Sequence, residues 1–131
     1  MSATIPAAQA LRLLDLIAPT DRGIASRVLA KTAGCNVTLF AFDAGEGLTE
    51  HTTSYDALAL VLDGAMTFTI GGNAVAADAG TIVRLPASVP HAVDTAAASR
   101  MLHSCTRFIS RAVTKANSSA TRPLKALSVN R

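Results

Sequence analysis

Short apolar runs separated by turn residues recur through the middle of this chain, at the spacing of strands. Met66, Phe68 and Ile70 alternate with Thr67 and Thr69, the period-two pattern of a half-buried strand. Gly71-Gly72-Asn73 then closes a hairpin back to Val75. Two runs, Val37 to Phe42 and Ala57 to Leu62, are apolar on both faces, as expected of strands inside a two-layer structure. Ile24 to Lys31, the segment around His51, Thr81 to Leu85, the segment around His91, and Arg100 to Ile109 read as further strands. Ala33-Gly34, Asp63-Gly64 and Asp78-Ala79-Gly80 supply turns between them. Roughly eight to ten short strands with frequent turns predict an all-β antiparallel barrel or jelly roll. Ahead of them, Leu11, Leu14 and Ala18 follow helical spacing, which predicts a short helix or an extended arm ended by Pro19 and Asp21. The expected organisation is an N-terminal arm over 1–22, a barrel over 23–110 and a C-terminal tail over 111–131.

Composition changes this picture little. A chain of 131 residues, half of them apolar, suits one domain with one core. The net charge of +3 belongs to the tail. Arg111, Lys115, Arg122, Lys125 and Arg131 stand there without an acid, while residues 1–108 carry a net charge of −2. The tail reads as a solvated end. With four Phe, one Tyr and no Trp there is no stacking platform for single-stranded nucleic acid, so no nucleic-acid partner is expected. No apolar run has membrane-spanning length. Arg12 and Asp15 interrupt the one apolar block near the start, so a secretory signal is not expected and the expected compartment is the cytoplasm. Cys35 and Cys105 have no metal-type spacing; buried thiols are the expectation, with a disulfide as the lesser alternative.

The stretch from Asp43 to Thr95 carries the candidate chemistry. Its first pattern places Gly45, His51 and Gly64 in order, and its second places Gly80, Pro86 and His91. These positions resemble the two motifs of the cupin family. The closest type is a small single-domain bacterial cupin of the RmlC-like, Cupin_2 kind. The resemblance implies a jelly-roll cupin barrel, an antiparallel double-stranded β-helix with its site inside. It also implies a homodimer, a tendency consistent with sheet edges that need cover. The departures fall on the ligand positions. Thr53 stands where the family has a second His, and Ala57 where it has a Glu; Ser88 and Thr95 replace a Gly and an Asn. Of the four usual metal ligands only His51 and His91 remain.

Strand alternation puts His51 and Thr53 on one face, taken as inward, with Glu50 outward. His91 faces them from a neighbouring strand. In Met101-Leu102-His103-Ser104-Cys105 the Arg100, Leu102, Ser104 and Thr106 face is the more polar. Assigning that face to solvent turns His103 and Cys105 inward. The expected ligand-binding set is therefore His51, Thr53, Tyr55, His91 and His103. A metal set of His51, His91 and His103 would suit Zn, Fe, Mn, Ni or Cu. Asp56 is expected to be exposed or to pair in a turn, and Arg84 to face solvent or pair across a dimer interface. The leading expectation is a module that binds a small molecule in the barrel, with or without a divalent metal. The alternative is a metal-dependent enzyme of the dioxygenase, isomerase or decarboxylase type. A metal-free variant would use His51 or His91 as a general base. A protein-docking role for the arm or tail is a third reading.

Overall fold

The computed structural model describes residues 4–18 and 21–106. The tail over 111–131 and the expected end of the last strand, 107–109, lie outside the described residues. Among those described, nine strands follow in chain order: β1 (Ile24–Thr32), β2 (Cys35–Phe42), β3 (Gly47–His51), β4 (Ala57–Asp63), β5 (Ala65–Ile70), β6 (Asn73–Asp78), β7 (Ile82–Leu85), β8 (His91–Thr95) and β9 (Ser99–Cys105). They form a five-stranded sheet in the order β1-β2-β9-β4-β7 and a four-stranded sheet in the order β3-β8-β5-β6. All pairings are antiparallel. The chain crosses repeatedly between the two sheets, which is the jelly-roll arrangement the strand pattern predicts.

The register shows which residues meet. Phe40 and Val61 flank Met101, and Val75 and Val93 flank Phe68. These rows face each other between the sheets, and Phe42, Val61, Met66, Phe68, Leu85, Val93 and Met101 are all buried there. Burial of this apolar area is the main force holding the sheets together.

The two-sided apolar character of β2 has a specific cause. Leu39 and Ala41 face away from the core yet are fully buried. Leu39 pairs with Arg27 and Ala41 with Arg100, so both arginines stand on that outer face. Arg27 donates to the Leu16 carbonyl at 3.1 Å, and Arg100 to those of Leu14 and Ile17 at 2.9 and 3.1 Å. The N-terminal arm therefore crosses this face and covers it. Arg100 also forms a salt bridge to Asp63 at 2.6 Å, tying arm and barrel through one guanidinium. Among its described residues the arm contains one 3-10 turn, Leu13–Asp15, and is otherwise irregular; Ile5 donates to the β1 carbonyl of Leu29 at 2.9 Å. Of the two sequence alternatives, the arm is the one adopted. An isolated helix this short would not hold its own nucleus. The outer face of β9 was expected to meet solvent. Instead Ser104 is buried and Arg100 and Leu102 are partly buried, because the arm side of this sheet is covered.

The cysteines depart from expectation. Cys35 and Cys105 are joined as a disulfide, with Cα atoms 6.1 Å apart. Their sequence separation of 70 hides the fact that β2 and β9 are neighbours. The β2–β9 ladder ends at the pair Val37 and Ser104, and Cys35 and Cys105 lie just beyond it at the same end. That separation is within the range a disulfide spans without backbone movement.

Gly64 and Ser88 are among the positions that adopt the left-handed region. Gly64, at φ +82°, joins β4 to β5, and a Cβ there would collide with the Ser99 hydroxyl and the Ala98 carbonyl. Ser88 has φ +63° in the turn before β8. This is the place where the cupin pattern has Gly, and a non-glycine residue pays for the conformation. Ser88→Gly is expected to raise unfolding free energy by about 0.5 kcal/mol, the relief of strain less the extra freedom Gly has when unfolded. Urea titration checks this, and a lower midpoint for the variant would refute it.

Candidate functional site

One end of the space between the sheets is lined by imidazoles. His91 begins β8, and its neighbours across the ladders are His51 on β3 and Ile70 on β5. On the opposing sheet, His103 of β9 lies between Thr38 of β2 and Ala59 of β4. His103 shares its face with the core residue Met101, so it points inward as strand parity predicts.

His51 reaches its inward position through an irregularity. Leu48 pairs with Val93, but His51 pairs with His91, so β3 carries one extra residue between them. Such a bulge reverses the alternation. Without it, Leu48 and His51 would face opposite sides; with it, both face the barrel. The rings of His51 and His91 then meet edge-on, centroids 4.4 Å apart and planes at 66°. His51 is exposed at the mouth, whereas His91 is only 1 % exposed. Each ring is fixed by a backbone carbonyl two residues earlier. His51 Nδ1 lies 2.8 Å from the Thr49 oxygen, and His91 Nδ1 lies 3.2 Å from the Val89 oxygen. His91 Nε2 is buried and has no hydrogen-bond partner among the described residues.

The other expected site residues are placed differently. β3 ends at His51, so strand alternation no longer applies at Thr53. Thr53 lies in the following loop, where its hydroxyl donates to the Tyr55 carbonyl at 2.7 Å. Its own carbonyl accepts from the Ser88 amide at 2.8 Å, which ties this loop to the turn before His91. Tyr55 sits partly buried in the same loop. Asp56 is a turn-pairing residue, as expected. It accepts from Arg84 at 2.6 Å and from the Ala87 amide at 2.8 Å, so Arg84 pairs within the chain. The Ala87 amide and then the Arg84 guanidinium hold the Asp56 carboxyl below its usual range. Ala57 is fully buried against Leu85 and Cys105. Glu50 is exposed beside His51. Sequence reasoning passed over Thr38 as a site residue and took Phe40 as part of an apolar set that is core by default, with some members lining the pocket. Thr38 stands opposite His103, and the Phe40 ring lies 6.1 Å from the His103 ring, edge to face. The alternation of Thr38, Phe40 and Phe42 was the signal that could have placed them on the inner face.

Burial keeps the inner imidazoles neutral. His91 is pushed below the usual histidine range first by desolvation and then by the neighbouring charge of His51, against the raising effect of the Val89 carbonyl. His103 is lowered first by desolvation and then by His91 and His51. The linkage sign follows. Above about pH 6.5 both folded and unfolded chains hold these rings neutral. As pH falls through that value the unfolded chain takes up protons that the folded chain resists, so stability is lost. The expected melting temperature is flat above pH 7 and falls below pH 6.5. His103→Gln should make the fall shallower, by at most about 1.4 kcal/mol per pH unit. An identical slope in that variant would refute the assignment.

The donor set tests whether a resident metal fits. His51 and His91 offer two nitrogens on one sheet, and His103 faces them from the other. Among the described residues, however, no group of three or more His, Cys, Asp or Glu side chains is assembled so that it could hold a metal ion.

Comparison with known proteins places the chain. No functionally curated protein matches the sequence. The chain is similar to a conserved protein of unknown function from Streptococcus pyogenes, at 26 % identity and a TM-score of 0.74, covering 78 % of this chain and 90 % of that one. It is similar to a cupin superfamily protein from Desulfitobacterium hafniense, at 25 % identity and a TM-score of 0.73, covering 78 % and 94 %. A cupin 2 conserved barrel domain protein from Leptotrichia buccalis is 29 % identical with a TM-score of 0.67; the match covers 70 % of this chain but 44 % of that longer one. The Cupin_2 profile, described as a cupin domain, matches residues 38–104, which runs from Thr38 on β2 to Ser104 on β9 and takes in all three histidines. With the two-sheet barrel and its paired motif histidines, that match makes this chain a member of the Cupin_2 family of cupin domains.

Proposed function

We propose that this cupin domain binds a small organic molecule at the imidazole-lined end of its barrel, without needing a resident metal. One observation carries the reading. His91 Nε2 is a buried polar atom without a partner among the described residues. An unsatisfied buried acceptor or donor costs roughly 1–3 kcal/mol, which a ligand that pairs with it recovers. The apolar wall formed by Phe40, Ile70 and Val83 around a few polar groups is the usual character of such sites. The alternative of a metal-dependent enzyme rests on the same histidines, and their arrangement does not favour it.

The test joins elemental analysis with a thermal-shift screen of small organic compounds on protein purified without metal affinity media. A metal-free sample stabilised by a compound, with the gain lost in His91→Ala, supports the proposal. About one tightly held transition-metal ion per chain would replace it with the metal-dependent reading. A homodimer belongs to the same proposal, supported by exposed Leu13, Leu14 and Ile82. A monomer mass by sedimentation at micromolar concentration would remove it. Among the described residues no helix is long and apolar enough to cross a membrane. The Cys35–Cys105 bond favours an oxidising compartment over the cytoplasm expected from the sequence.

A further inference from the structure

The ring fixation of His51 and His91 carries information about the ligand's chemistry. A carbonyl oxygen can only accept a hydrogen bond. The nitrogen facing it must therefore carry the proton, and this holds at Nδ1 of both rings. A neutral imidazole has one N–H, so Nε2 of each ring is a bare acceptor. His91 is 1 % exposed, so its Nε2 faces protein rather than bulk water. The two acceptors stand on adjacent strands with their rings 4.4 Å apart, and one of them is unsatisfied.

The surroundings narrow the choice further. Among the described residues the inward positions at this level are Thr38, Phe40, Ala59, Ile70, Val83 and His103. None carries a formal charge when His103 is neutral. A carboxylate or phosphate would bring lone pairs against the lone pair of His91 Nε2, with no Lys or Arg among the described residues on this face to receive it. An ammonium group would have donors to give but, among the described residues of this face, no carboxylate to compensate its desolvation. A hydroxyl donates without carrying a charge.

We infer that the barrel recognises a neutral molecule with two adjacent hydroxyls, which donate to Nε2 of His91 and Nε2 of His51 while its carbon skeleton lies against Phe40 and Ile70. The inference rests on the small-molecule reading above and adds to it the ligand's polarity. His51 is exposed at the mouth, edge-on to the buried ring of His91, so the ligand enters on the His51 side.

The experiment uses the full chain labelled with ¹⁵N-histidine. Ring nitrogen spectra report the tautomer directly, and three probes of one shape report the polarity: cis-1,2-cyclohexanediol, cyclohexanecarboxylate and cyclohexylammonium. The expected result is the Nδ1–H form for His51 and His91, with a saturable shift of both Nε2 signals on adding the diol alone. His51→Ala should weaken diol binding about tenfold, the size of one lost hydrogen bond. His91→Gln, which keeps a polar group, should abolish the shift at His51. An Nε2–H tautomer at His91 would overturn the inference whatever binds. Binding of the carboxylate or the ammonium probe at these rings, with the diol inert, would overturn it while leaving the small-molecule reading intact. Silence with all three probes would overturn it as well. The thermal-shift screen then decides the broader reading separately.

Discussion

Joint replacement of Cys35 and Cys105 by alanine is expected to lower unfolding free energy by about 4 kcal/mol, the entropy of closing a loop of this length in the unfolded chain. The loop spans 70 residues and includes all of β3 to β8, so nearly the whole barrel lies between the linked ends. For a domain of this size the loss corresponds to a fall in melting temperature of roughly 15 °C. Both sulfurs are buried, and alanine leaves only a small void, so cavity cost adds little to the chain-entropy effect. Reduction of the wild-type protein should reproduce the shift. An unchanged melting temperature in protein whose two thiols react quantitatively with a labelling reagent would show that the bond contributes nothing. The location matters beyond stability. Cys105 is two residues from His103, so loosening the β2–β9 seam should also weaken any ligand that depends on that ring.

The second large effect is expected at Phe68. This ring is fully buried between Val75 and Val93 on its own sheet and faces the row of Phe42, Val61 and Met101 across the sandwich. Phe68→Ala should cost about 4 kcal/mol, from lost transfer energy and the void left behind. Phe68→Leu, which fills most of the space, should cost about 1 kcal/mol. Denaturant titration of both variants separates a packing effect from a general failure to fold. Equal losses in the two would refute the packing account. The disulfide and Phe68 lie on different sheets without shared partners, so their effects should add.

The sequence pattern and the structure agree where the physics is local. Alternation at Met66, Phe68 and Ile70, turn glycines at Gly64 and Gly80, and the parity that turns His103 inward all depend on neighbours in the chain. Each is found in place. The misses depend on contacts made over long separations. The disulfide needed the β2–β9 register. The burial of Leu39 and Ser104 needed an arm whose own apolar spacing suggested a helix as readily as an irregular path. Thr53 shared the parity of His51 in sequence but not in space, because β3 ends two residues before it and alternation no longer applies. The orphaned nitrogen of His91 could not be read from residue types, since it depends on what lies within hydrogen-bonding reach of the buried ring.

The irregularity in β3 has a consequence for how chains of this kind can change length. Where a strand is regular, losing one residue turns every following side chain to the wrong face. Between Leu48 and His51 the opposite holds, because one residue there is already surplus to the pairing. Removing Thr49 would restore ordinary alternation and still leave His51 across from His91. The interval between the motif's glycine and its histidine is thus elastic by one position, while the short run from His91 to Thr95 is not. A search for relatives that fixes the first interval as rigidly as the second would pass over chains that keep the same pair of rings.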